Sequence, residues 1–231
     1  MIERKTIFYY FLLTLAAIIL IFIIIFFKPS SLNSITFFDK LFLTGLFLTS
    51  CIFGISIAIY PNWWRKNNKN HAIDTQRVKT KRFFHGHHPD CIMFKSHVII
   101  IKNKPRCAGC LGLFIGALLS IFLMMLYLVS PFKIPIIFYY ILILIAIFVL
   151  IFVYIEIVLL KRHVFFHILL NIFLILSFFL ITICVVELTE NLIYSTLTIL
   201  LCFLWLDTRI HLSKYKHQKI CANCKQSCKS Y

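Results

Sequence analysis

The sequence predicts an all-α, polytopic bundle of six membrane-spanning helices, and three observations carry that expectation. Of its 231 residues, 61% are hydrophobic and 14% charged, a balance that no soluble single domain covers with polar surface. The apolar residues gather into runs long enough to cross a bilayer, at roughly 20 residues per crossing. Between those runs, Lys and Arg alternate steeply in number, as the orientation of membrane proteins requires.

In chain order the runs fall at 7–27, 41–60, 109–130, 135–160, 164–186 and 191–206. The first follows a short charged start, Glu3-Arg4-Lys5. Its apolar stretch is too long for a secretion signal and lacks an Ala-x-Ala site, so it reads as a retained helix. The second ends against Trp63 and Trp64, and the third opens directly after Cys107. The fourth is long enough to need tilt. The fifth begins beside His163, and the short sixth closes at Trp205. The three tryptophans sit where amphipathic rings mark a membrane interface.

Before, between and after the spans, Lys and Arg number 2, 2, 11, 1, 2, 0 and 6. With the N-terminus in the cytoplasm, 21 of these 24 lie inside, which the positive-inside rule demands. The expected protein is therefore N-in and C-in, a cell-membrane protein. It divides into two helices (1–60), a basic cytoplasmic loop (61–107), four helices (108–206) and a basic cytoplasmic tail (207–231). Small residues recur every four positions at Ser50, Gly54 and Ala58, and again at Ala108, Gly112, Gly116 and Ser120. Close helix approach in lipid needs small residues, so these two helices are expected to touch.

The formal net charge is +16, so partners outside the hydrocarbon are anionic, foremost the headgroups of membrane lipids at the cytoplasmic face. Nucleic acid is disfavoured, because no Cys2His2 finger spacing or interleaved aromatic platform is present.

Six of the nine cysteines, Cys91, Cys107, Cys110, Cys221, Cys224 and Cys228, fall in the loop and the tail. In a reducing compartment such clusters read as metal ligands before disulfides. The other three, Cys51, Cys184 and Cys202, lie within spans and read as packing residues. The loop carries His85-Gly-His87-His88-Pro-Asp-Cys91, then His97, then Cys107-Ala-Gly-Cys110. Two thiolates separated by two residues can grip one ion, and upstream His or Cys complete the tetrahedron that Zn2+ prefers. His97, Cys107 and Cys110 are the first choices and Cys91 the fourth ligand, with His87 and His88 in reserve. Val98–Ile101 reads as a short strand, and residues 102–105 as a turn that carries the chain back towards His97. Cys107 and Cys110 also stand at a helix N-terminus, which favours thiolate. That suits dithiol exchange as well, but exchange leaves the histidines unexplained. The tail's His217, Cys221, Cys224 and Cys228 suffice for a second site or share the first, so one or two zinc ions are expected. An iron–sulfur cluster does not match the familiar spacings.

Ionisable residues inside spans are functional candidates. Glu156 lies near the inner end of the fourth span. His163, His167 and Asn171 recur every four residues in the fifth, and Asp207 and His211 repeat that spacing after the sixth. Glu156, His163, His167 and Asp207 are candidates for catalysis or further metal ligation, and interhelical hydrogen bonding is the structural alternative.

The run Cys107-Ala-Gly-Cys110-Leu-Gly112-Leu-Phe-Ile-Gly116, leading from a Cys/His loop into a membrane helix, resembles the signature of a family of small prokaryotic membrane proteins called domain of unknown function 2085. In that family a Cys-Ala-x-Cys-x-Gly core enters a helix about eighteen residues after a Cys-His element. Here the upstream element is His87-His88-Pro-Asp-Cys91, and the resemblance covers residues 85–120. It implies a multi-pass membrane protein and brings no activity with it.

The leading expectation is a membrane protein whose loop and tail, too small to bury a core, are organised by structural zinc. A membrane metalloenzyme acting on a lipid-like substrate is the second reading, and a small-solute or ion transporter the third. Whether the chain is an enzyme stays open at this point.

Overall fold

The computed structural model describes residues 4–27, 35–59, 97–101, 104–130, 134–158 and 163–222. They form α1 (Arg4–Phe26), α2 (Phe37–Ile59), a two-stranded hairpin of β1 (Val98–Ile101) and β2 (Lys104–Cys107), α3 (Ala108–Val129), α4 (Ile136–Val158), α5 (Val164–Thr189) and α6 (Leu192–Ala222). All six helices are long and apolar enough to cross a membrane. Apart from the polar extension of α6, each is apolar on nearly all sides, as lipid-facing helices must be, and each keeps its backbone hydrogen bonds within itself.

Helix α5 is the centre of the bundle. In its membrane-spanning part 67% of residues are buried by protein, against 22% in α1 and in α2. It packs against α3, α4, α6 and α1. The outer helices turn residues such as Phe11, Phe122 and Phe148 outward, where acyl chains replace protein as their apolar surroundings.

Local chemistry fixes the ends on one side of the bundle. Thr36 Oγ1 accepts from the Asp39 amide at 3.3 Å, and Asp39 Oδ2 accepts from the Thr36 amide at 2.9 Å. This reciprocal pair satisfies orphan N–H groups at the start of α2. Glu190 ends α5 in the left-handed region with φ 49°. Asn191 then caps α6, its Oδ1 accepting from the Ile193 amide at 2.9 Å. The α5–α6 connection is therefore a tight reversal, which holds the two helices antiparallel.

The packing bears on three expectations. The contact between α2 and α3 exists, but the small-residue stripe of α3 faces α5. A Cβ on Gly112 would lie 2.5 Å from the Ile168 carbonyl oxygen, and one on Gly116 would lie 3.0 Å from Ile172 Cα, whereas Gly54 has open space around it. Trp205 is fully buried against protein, stacked on Phe178 at 6.2 Å with its N–H directed at the Thr14 carbonyl at 3.4 Å. And α6 does not stop at residue 206: it continues for 16 residues to Ala222, about 24 Å further at 1.5 Å per residue. The two other tryptophans, Trp63 and Trp64, lie outside the described residues.

Candidate functional site

The hairpin is the first element of the site. Its strands pair antiparallel, with Val98 opposite Cys107 and Ile101 opposite Lys104. The reversal is tighter than the sequence suggests, since Lys104 and Pro105 belong to β2. The pairing returns the chain so that His97 stands one residue before the partner of Cys107. As β2 passes into α3, Cys107 becomes the N-cap residue. Cys107 and Cys110 are both free thiols. The pKa of Cys107 is lowered, chiefly by a hydrogen bond from the Cys110 thiol; burial opposes this, while the Cys110 and Gly109 amides and the Arg209 charge support it.

Against this turn stands a buried polar group drawn from three helices. His167 on α5 and Glu156 on α4 are each 5% exposed. His167 Nδ1 lies 3.3 Å from Glu156 Oε1, a contact in which the ring N–H donates to the carboxylate. The other ring nitrogen, Nε2, faces the thiol turn: a Cβ on Gly109 would lie 3.1 Å from it. Asn171, one helical turn further along α5, donates to the His167 carbonyl oxygen and accepts from the Arg209 guanidinium of α6. Arg209 is itself 7% exposed. Charges this deep persist only when paired and hydrogen-bonded.

The extension of α6 completes the arrangement. His97 lies between two further histidines, its ring centroid 5.6 Å from that of His167 and 5.1 Å from that of His217, both edge-on. The structure thus gathers His97, Cys107, Cys110, Glu156, His167, Arg209 and His217 at one end of the bundle. Among the described residues, no three His, Cys, Asp or Glu side chains yet converge closely enough to hold an ion.

The remaining sequence candidates are distributed as follows. His163 is the exposed N-cap residue of α5. Asp207 is half exposed and pairs with His211 at 3.2 Å, whose ring stacks on Tyr10 of α1 at 4.4 Å. That pair belongs to the seam between α1 and α6. Cys91, His87, His88, Cys224 and Cys228 lie outside the described residues, as does the side chain of Cys221.

Two features escape sequence reasoning. Arg209 counts as a tail residue until α6 is seen to continue; its spacing of seven from Cys202 is the signal that places it on a buried face. At the opposite end of the bundle, Glu187 on α5 accepts from Lys40 of α2 at 2.9 Å and from the Tyr127 hydroxyl of α3, so partly buried polar contacts between helices are not confined to one side. Both charged residues lie just beyond the expected span limits, where they read as loop.

No protein-family model, curated protein or solved structure matches the chain. The functional reading therefore rests on the geometry of the hairpin end.

Proposed function

We propose that the hairpin end is a zinc centre of a multi-pass membrane protein, and that the metal holds together the loop, α3, α5 and the extension of α6. Cys107, Cys110 and His97 supply three ligands and His167 the fourth. His217, with Cys91 and the tail residues Cys221, Cys224 and Cys228, furnishes a second ligand set that ties the tail to the loop. The metal's part is to organise segments too small to fold on a core of their own.

The observation that carries this reading is the orientation of His167. A zinc-ligating histidine commonly donates its second ring N–H to a carboxylate, which fixes the tautomer and raises the basicity of the ligating nitrogen. His167 stands so towards Glu156, with Nε2 turned to Gly109 in the turn between the two cysteines. The lowered pKa of Cys107 supports the same chemistry, because the ligand is the thiolate.

The orientation we propose is N-in and C-in. Tyr10 near the start of α1 stacks on His211 late in α6, which supports both termini sharing the hairpin's side; the charge count makes that side the cytoplasm.

The test is elemental analysis of protein purified in detergent without added metal. One or two zinc ions per chain are expected, falling by one in Cys107→Ser and in His167→Ala variants. Protein that is folded, monodisperse and metal-free overturns the reading.

A further inference from the structure

Two neighbouring side chains of β1 are left uncovered. Ile100 is 73% exposed and Ile101 39%, whereas Val98 and Ile99, nearer the base of the hairpin, are half-buried. Successive residues of a strand point to opposite faces, so the far half of β1 is bare on both sides. Four-residue strands in a lone pair cannot bury such residues on one another, and an isolated two-stranded hairpin is marginal in water.

The base of the hairpin is tied to the end of the bundle at two points. Strand β2 runs without a break into α3, a helix long and apolar enough to cross a bilayer. His97, the residue before β1, has its ring 5.6 Å from that of His167. His167 in turn lies two residues, about 3 Å of helical rise, after Phe165, whose side chain is 79% exposed at the start of α5. On an apolar, membrane-crossing helix such a phenylalanine faces lipid. From Cys107 back to Lys104 is three steps of strand, about 10 Å. The tip therefore stays close to the start of α3, and interfacial elements bury their apolar residues to a similar distance, roughly 5–10 Å.

The charge around the tip selects the lipid. Lys102, Lys104 and Arg106 follow the isoleucines at alternate positions, and the register sets Lys104 opposite Ile101 and Arg106 opposite Ile99. Apolar residues on one strand and cations on the other match a leaflet that offers acyl chains beneath anionic headgroups.

We propose that the hairpin is an interfacial anchor that lies on an anionic lipid leaflet, with Ile100 and Ile101 among the acyl chains nearest the headgroups and the neighbouring cations among the phosphates. The bilayer then supplies the apolar cover that the second strand cannot. The inference does not depend on the zinc reading, because neither isoleucine is a ligand.

The experiment uses the full chain in nanodiscs of phosphatidylglycerol or of phosphatidylcholine, with Ile100 replaced by the photoreactive residue p-benzoylphenylalanine. The same replacement at Phe148, exposed on the outside of α4, gives the standard for lipid contact. At Lys219, exposed late in the extension of α6, it gives the standard for a polar surface. After irradiation, adducts are identified by mass spectrometry. In phosphatidylglycerol, the probe in place of Ile100 is expected to yield lipid adducts comparable to those at Phe148 and well above those at Lys219. In phosphatidylcholine that yield, taken relative to Phe148, should fall about fivefold or more. Lys104→Gln in phosphatidylglycerol should lower it by about fivefold, the worth of one basic residue near an anionic surface.

Three results overturn the proposal. Adducts formed with residues 60–96 instead of lipid would mean that the preceding segment covers the hairpin. Yields no higher than at Lys219 would mean that it faces water, and equal yields in the two lipids would remove the role of charge. Zinc measured on the same samples reads the metal proposal separately, so the two fail independently.

Discussion

Gly109 lies against His167: a methyl group added there would begin 3.1 Å from the ring Nε2 and 3.5 Å from the Arg209 guanidinium. The middle of the Cys-x-x-Cys turn is thus kept bare so that α5 and α6 can bring polar groups up to it. Gly109→Ala is expected to leave the bundle folded, since the neighbours are side-chain ends that can give way. If the proposed zinc centre holds, it should weaken zinc binding about tenfold, by displacing a nitrogen that a ligand must keep within a few tenths of an ångström of its place. Competition with a chromogenic chelator reads this directly.

Glu156→Gln separates orientation from charge. The amide can still meet the ring but no longer favours the tautomer that presents Nε2 to a metal. Affinity for zinc should fall by about 10- to 100-fold, the usual cost of losing the group that orients a ligand, while the far-ultraviolet spectrum stays that of a helical protein. Unaltered affinity would make Glu156 a purely structural partner of His167.

The glycines of α2 and α3 should respond oppositely to the same change. At Gly112 a new Cβ would stand 2.5 Å from a backbone oxygen of α5 and 2.7 Å from Asn171 Cβ, so Gly112→Ala must push two helices apart. Overpacking of this kind costs about 1–3 kcal/mol. Gly54→Ala meets nothing and should lie within about 0.5 kcal/mol of the unaltered protein. Thermal denaturation in one detergent compares the two.

At the other end of the bundle, Lys40 and Glu187 form an ion pair at 2.9 Å with side-chain exposures of 34% and 24%. A double-mutant cycle of Lys40→Met and Glu187→Gln should give a coupling of about 0.5–1 kcal/mol, reduced by salt. Because Tyr127 donates to the same carboxylate oxygen, Glu187→Gln alone should be the more damaging single change.

Removing metal is expected to act regionally. A chelator should speed hydrogen exchange in the hairpin and in α6 beyond residue 206, while α4 and the mid-membrane part of α5 stay protected. Uniform loss of protection would mean that the metal supports the whole bundle.

The architecture was written in the hydropathy, because a helix that must face lipid has to be apolar along about 20 residues and little else in a sequence looks so. Six expected runs became six helices, with most limits moved by only a few residues. The strand Val98–Ile101 was legible from its β-branched run. What could not be read was which helix meets which. Gly112 and Gly116 mark a close approach, but their spacing does not say whether the neighbour is α2 or α5, since that depends on how the bundle is assembled. The length of α6 was hidden for a different reason. After residue 206 the residues turn polar, which ends an apolar run without ending a helix, as helix propensity is high for lysine and glutamine. With that limit misplaced, Arg209 and His217 were assigned to a tail, and the meeting of His97, His167 and His217 stayed out of view.

The unbroken course of α6 has a mechanical meaning. A rod from Leu192 to Ala222 joins Trp205, buried inside the bundle, to His217, beside the hairpin. A helix resists twisting far more than a loop does, so a torque applied where the polypeptide leaves the bilayer would be felt by Arg209 and by the ring of Trp205 together. Whatever grips the far tip of that rod has a lever on the packing at the heart of the bundle.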